Sequence, residues 1–166
     1  MLVQSNGDDF HKGYWYNGSE VVYYSYRENN YSVIEAPETI MQTIDSINAN
    51  YGIDFPAADF FYPAFTDDIL ADFTTLVFLG SKKVNGKDCF HILAENDKIN
   101  FQVWISNDAM TLPERFAIIY KDLKDSPQYL GEFYNWKVNP ELPDSLFEFT
   151  APPEANQIAI IAKNNQ

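Results

Sequence analysis

The chain has 166 residues and a mass of 19.1 kDa, the size of one domain. Hydrophobic residues make up 46% and charged residues 21%, which excludes a wholly disordered chain. Eleven basic against 24 acidic residues give a net charge of −13, which excludes nucleic acid as a partner and opposes an anionic membrane surface. A single cysteine, Cys89, leaves no intrachain disulfide and no cysteine zinc cluster. Two histidines, His11 and His91, leave no three-histidine site. Nothing in the composition calls for a cofactor. The distinctive feature is aromatic content: 11 Tyr, 13 Phe and 3 Trp.

In chain order, Met1 to Asp9 carries neither the basic nor the apolar stretch of an export signal. No apolar run approaches the roughly 18 residues of a membrane span. The protein is therefore cytoplasmic, or its export signal lies outside this chain. A strand over residues 10–16 leads into Asn17-Gly18, and a strand pair at 21–27 and 31–35 follows. Asn-Gly suits a type I′ hairpin because that turn needs positive φ at both central residues. From Ile40 the apolar positions Ile40, Ile44, Ile47 and Tyr51 are spaced four, three and four, which is helical. Thr39 and Gln42 form a capping box before this helix, each side chain set to satisfy a backbone amide, and Gly52 with Ile53 ends it. Pro56 is placed to open a short second helix containing Asp59, Phe60 and Phe61 and ended by Pro63, with residues 63–72 as loop. Strands then read over 74–84 and 88–94, joined by a second type I′ turn at Asn85-Gly86. A turn at Asn96-Asp97 precedes 99–105, where Ile99, Phe101, Val103 and Ile105 share one face. Further strands fall at 115–120, 128–138 and near 157–161. The pattern is one α+β domain over residues 1–166: antiparallel sheet with helices covering one face.

Chemistry-bearing groups are few. Asp67, Asp68 and Asp72 offer carboxylates to a cation, or are simply a solvated loop. Cys89 and His91 are two apart on one strand and share a face, but no third orienting group or Gly-rich turn accompanies them, which favours a structural pair over a nucleophile. No phosphate-binding, dinucleotide, zinc-protease or serine-hydrolase motif occurs. The aromatics read either as a bulky core or as the lining of an apolar pocket between sheet and helix.

Three stretches carry a resemblance. The first is Tyr16-Asn17-Gly18-Ser19-Glu20-Val21, followed by a strand pair and Glu35-Ala36-Pro37. The second is Tyr51-Gly52-Ile53-Asp54-Phe55-Pro56 after the Thr39-capped helix. The third begins at Leu112-Pro113-Glu114-Arg115 and passes through Ser126-Pro127-Gln128-Tyr129 and Trp136-Lys137-Val138-Asn139-Pro140. It ends in Asp144-Ser145-Leu146-Phe147-Glu148-Phe149. Together they resemble a family of predicted periplasmic proteins of unknown function related to the LolA/LolB lipoprotein carriers, over about residues 13–160.

The resemblance implies a periplasmic protein built as a curved antiparallel sheet, an unclosed half-barrel, whose concave face is covered by helices. It implies a non-catalytic carrier or binding protein for a hydrophobic small molecule, lipid or acyl chain; from the residues themselves, neither metal nor cofactor is expected. The matched pocket positions are Phe78, Phe101, Trp104, Phe116, Tyr134 and Trp136 on the strands and Ile44, Ile47, Phe60 and Phe61 on the helical cover. Phe101 and Trp104 have opposite parity, so one points outward unless a bulge intervenes. Relatives are longer at the N-terminus, so the strand at 10–16 is expected to lack its outer neighbour. A homodimer through that edge, or through bare concave face, follows. The rival reading is a protein-interaction or sensor module using the same sheet. An enzyme is a third reading that no residue set supports.

Overall fold

Backbone pairing in the computed structural model, which describes residues 1–55 and 57–163, gathers the strands into two five-stranded sheets rather than one continuous curved sheet. The first runs β1 (Leu2–Asn6), β2 (His11–Tyr16), β3 (Glu20–Ser25), β4 (Asn30–Glu35) and β10 (Asn156–Gln157). The second runs β5 (Thr75–Val84), β6 (Lys87–Glu95), β7 (Ile99–Ser106), β8 (Pro113–Tyr120) and β9 (Gln128–Glu132) in simple sequence order. All pairings are antiparallel except β10 with β4. The long excursion from residue 36 to 74 separates β4 from β5, and the chain divides there into two compact units. One is Met1–Ala58 with the residues from Asn139 onward; the other is Asp59–Val138.

In the first unit the helix expected at residues 40–51 is α1 (Ile40–Tyr51). Thr39 caps it, its Oγ1 accepting from the Gln42 amide at 3.3 Å. The box is not reciprocal, because the Thr39 hydroxyl donates to Gln42 Oε1 and occupies that side chain. Gly52 takes the left-handed conformation, φ 65°, and donates its N–H to Asn48 O. Ile47 (2% exposed) joins Tyr14, Tyr16, Val21 and Ile34 of the sheet in the core. Ile44 is half-buried, but Ile40 is 40% exposed; Thr43, whose hydroxyl donates to Pro37 O, is buried instead. A hydroxyl that finds a backbone carbonyl can be buried at little cost. The opposite face of this sheet carries Trp15, Tyr24 and Tyr31, and Phe149 lies against all three with ring centroids 5.0–5.5 Å away.

The edge expected to be bare is covered. β1 pairs with β2 from Leu2 opposite Trp15 to Asn6 opposite His11, so the 10–16 strand is paired on both sides. His11 is consequently not on an edge strand; it is exposed and stacked on Tyr26 at 3.9 Å. Of the two Asn-Gly turns, Asn85-Gly86 has the expected positive φ at both residues, 50° and 84°. At Asn17-Gly18 only the glycine is positive, φ 110°. There Asn17 Oδ1 instead accepts from the backbone N–H groups of Ser19 and Glu20, a side-chain-closed turn that needs no left-handed Asn.

Pro56 lies outside the described residues, and the short helix expected after it is a 3-10 turn, Ala58–Phe61, that leads into the second unit. Residues assigned to loop form α2 (Phe65–Asp72), with Asp67 and Asp68 in its first turn. Carboxylates there complement the helix dipole, and Phe65, Ile69 and Phe73 recur every four residues. The helix escapes sequence reading because Ala64 provides no side-chain cap. The strand expected to reach Val138 stops at Glu132; Asn135 turns left-handed, φ 57°. The last strand is only Asn156–Gln157.

Candidate functional site

The second sheet has two chemically distinct faces, and its register shows how they arise. Across one face run Phe78, Ile92, Val103, Phe116 and Gly131, each opposite the next. Beside this row run Leu76, Ala94, Phe101, Ile118 and Tyr129. Alternation puts the intervening residues on the other face: His91, Trp104, Arg115 and Glu132 in one row, Val77, Leu93, Gln102, Ala117 and Leu130 in the next. The parity conflict thus resolves with Phe101 on the apolar face and Trp104 on the other. The bulge in β7–β8 falls after Trp104, too late to turn it inward.

The apolar face is covered over β7, β8 and β9. Phe60 sits at the centre of an aromatic cluster, with ring centroids 4.9 Å from Phe65, 5.2 Å from Phe116, 5.6 Å from Phe133 and 6.1 Å from Phe101. Phe73 reaches Phe101 from the end of α2, and Trp136 packs on Phe133 while its indole N–H donates to Pro113 O at 2.9 Å. Gly131 completes the fit: Phe116 lies across it, where a Cβ would collide with the ring. Toward β5 the same two rows emerge into solvent. Ala94 is buried, Ile92 and Phe90 are half-buried, and Leu76 and Phe78 are exposed, Phe78 by 61%.

On the opposite face the row His91, Trp104, Arg115 and Glu132 is polar and internally paired, while the row beside it is largely apolar. The His91 ring stacks on Trp104 at 4.1 Å, and the Arg115 guanidinium lies over the same indole. His91 Nε2 is 2.9 Å from Gln102 Oε1; that oxygen can only accept, so the proton is on Nε2. Arg115 is ion-paired with Glu132, whose other oxygen accepts from the Tyr134 hydroxyl. The Tyr134 hydrogen bond first, and Arg115 second, hold the Glu132 carboxyl below its usual range. At the strand ends, Lys121 Nζ donates to Glu95 Oε1 at 2.5 Å and likewise keeps that carboxyl low. Glu114, buried in the β7–β8 bulge, accepts from Lys87. Cys89 is fully buried and its thiol is pushed up chiefly by that burial, then by Glu114. Its Sγ approaches Lys87 O, so its hydrogen bonding is directed to backbone rather than to His91.

The ten expected pocket residues therefore separate. Phe60, Phe101 and Phe116 meet in the aromatic cluster, with Trp136 at its margin through Phe133. Phe78 shares their sheet face at its uncovered end. Phe61 and Tyr134 are exposed, and Trp104 is on the polar face. Ile44 and Ile47 belong to the first unit, Ile47 within its core. Sequence reading missed Phe65, Phe73 and Phe133 as cover, and did not single out Leu76 and Phe90, on strands it had placed, as part of the apolar face. The four-residue spacing of Phe65, Ile69 and Phe73 was the available signal for the first two.

The chain belongs to the family described as predicted periplasmic protein (DUF2092), whose model matches residues 1–161. The periplasm is accordingly its compartment, and among the described residues no helix is long and apolar enough to cross a membrane. No curated protein matches the chain.

Proposed function

We propose that this protein is a non-catalytic periplasmic binding protein or carrier for a hydrophobic ligand, a lipid or the acyl chain of a lipoprotein, held on the apolar face of the second sheet. The observation that supports this reading is the gradient across that face. Two rows of apolar side chains are sealed by Phe60, Phe65 and Phe133 over β7–β9 and left open at Leu76 and Phe78 on β5. An acyl chain laid along the open end would extend the same apolar layer, each buried methylene contributing about 0.8 kcal/mol. Phe60 and Phe65, carried on the 3-10 turn and the short helix, are the part of the cover that would shift to extend the open apolar strip. Likeness to the LolA/LolB carriers, including their half-barrel, is part of this proposal.

Titration with a fluorescent fatty acid tests it. Saturable binding is expected, weakened by Phe78→Asp and by Phe116→Ala, with the polar-face change Leu93→Thr as the comparison. Failure of several acyl probes to bind the intact protein would remove the reading.

A further inference from the structure

The centre of the second unit's aromatic cluster is filled from outside the sheet. Phe101 and Phe116, on β7 and β8, are buried at 7% and 3% exposure. The ring that meets both, Phe60, belongs to the 3-10 turn and is only half-buried; neither that turn nor α2 contains a fully buried residue. Phe60 also packs on Phe65 and Phe133, while its neighbours in the turn, Asp59 and Phe61, are exposed. Backbone hydrogen bonds here run along the chain itself, from Tyr62 N–H to Asp59 O and from Phe65 N–H to Tyr62 O, each 3.1 Å. Phe60 therefore meets the sheet through its ring. Ala57, just before the turn, is held at φ 69°, a conformation that residues with a Cβ rarely adopt. Elements that move to admit a ligand are drawn from those with the fewest buried contacts.

The row Phe78, Ile92, Val103 and Phe116 leads from the open strand to this ring. Three strand spacings make it about 14 Å long. Phe78 is exposed and Ile92 half-buried, but Val103 is buried, so the row closes before it reaches Phe116. An extended apolar ligand lying across the strands from Phe78 passes Ile92 and there meets the cover.

We propose that Phe60 is a plug. In the ligand-free protein its ring occupies the place on Phe101, Phe116 and Phe133 that the inner end of the hydrophobic ligand takes, and binding expels it. This rests on the reading of the second sheet as a binding face and adds its regulation. The exchange is like for like, one apolar group for another against the same rings. A ligand reaches the inner end only in molecules whose plug is out, so its apparent affinity is reduced by that fraction. Lining and plug are then opposite in sign. Truncating a lining ring removes contacts to the ligand, whereas truncating the plug removes a competitor.

Titration of the full chain with a fluorescent fatty acid reads this sign. With the plug-out state populated at about 10% or less, Phe60→Ala is expected to tighten binding at least about tenfold. Phe116→Ala weakens it, and Phe61→Ala, on the exposed neighbour, leaves it unchanged. Phe60→Trp gives a second readout that keeps an aromatic ring in the cluster. Its emission is compared with that of the wild type, to subtract Trp15, Trp104 and Trp136. On saturation with unlabelled palmitate the introduced indole is expected to shift to the red as it leaves the cluster for water. Phe60→Ala that binds no more tightly than wild type overturns the plug, and so does an indole that stays in place or shifts to the blue. Saturable wild-type binding alongside either result leaves the ligand reading standing. Failure of the probe to bind both wild type and Phe60→Ala removes the two together, and binding to Phe60→Ala alone supports the plug.

Discussion

Both units build a five-stranded sheet with an aromatic face, yet they finish it differently. In the first, α1 seals one face through Ile47 and Phe149 seals the other over Trp15, Tyr24 and Tyr31. In the second, the cover is a 3-10 turn and an eight-residue helix, and it reaches only part of one face. Both use the same local device, a strand glycine under an aromatic ring: Gly13 beneath Trp15 and Gly131 beneath Phe116. The lesson is that exposed apolar area follows from how much covering structure each sheet is given. The first sheet is covered on both faces, and the second is left with exposed apolar side chains along β5.

The sharpest way to break this contrast is to truncate one apolar side chain in each unit. Ile47→Ala is expected to cost about 2–5 kcal/mol, because a side chain 2% exposed leaves a cavity, while Phe78→Ala should stay within about 0.5 kcal/mol. Urea denaturation of the two variants measures both; equal losses would mean that the second sheet is as sealed as the first. Next in size is Gly131→Ala. The added methyl meets the Phe116 ring, itself held by Phe60, Tyr129 and Phe133, so a loss of about 1–3 kcal/mol is expected. A neutral result would show that the aromatic cover shifts freely. Thr39→Ala should cost about 1 kcal/mol through loss of the α1 cap and leave acyl-probe binding unchanged, confining its effect to the first unit.

The smallest expected effect concerns acid and belongs to the second unit. Glu132 and Glu95 have lowered carboxyl values in the fold, so the unfolded chain takes up their protons first. Their contribution is full above the ordinary glutamate value of about 4.3 and disappears as pH falls through the lower folded values. Thermal melting from pH 6 down to pH 2 should therefore show a steeper loss for wild type than for Glu132→Gln. Parallel curves would show that the Tyr134–Glu132–Arg115 chain contributes nothing to stability.

Much of this protein is legible in its sequence because it is local. The α1 helix, its Thr39 start and its Gly52 stop are set by side chains within four residues of the backbone groups they satisfy. The Asn85-Gly86 hairpin is set by two residues that tolerate positive φ. The alternation at Ile99, Phe101, Val103 and Ile105 placed β7 and its inner face correctly. Where local chemistry had two solutions, the sequence did not choose between them. Asn17 closes its turn through a side-chain oxygen instead of a left-handed backbone, and the Thr39 hydroxyl takes the Gln42 carbonyl instead of leaving it for the backbone.

What only the tertiary structure decided is non-local: which strands share a sheet, which edge is open and which aromatics meet. β1 caps the edge expected to be bare through a hairpin that sequence reading did not identify, and β5 and β9 are left as the two edges of the second sheet. Phe65 and Phe73 gain their meaning from Phe101, nearly thirty residues or more along the chain, and a helix of eight residues without a cap is held by that packing rather than by its own propensity. Residue type and spacing select the elements. The burial of one element's apolar side against another, which no short window contains, selects the surface that remains for function.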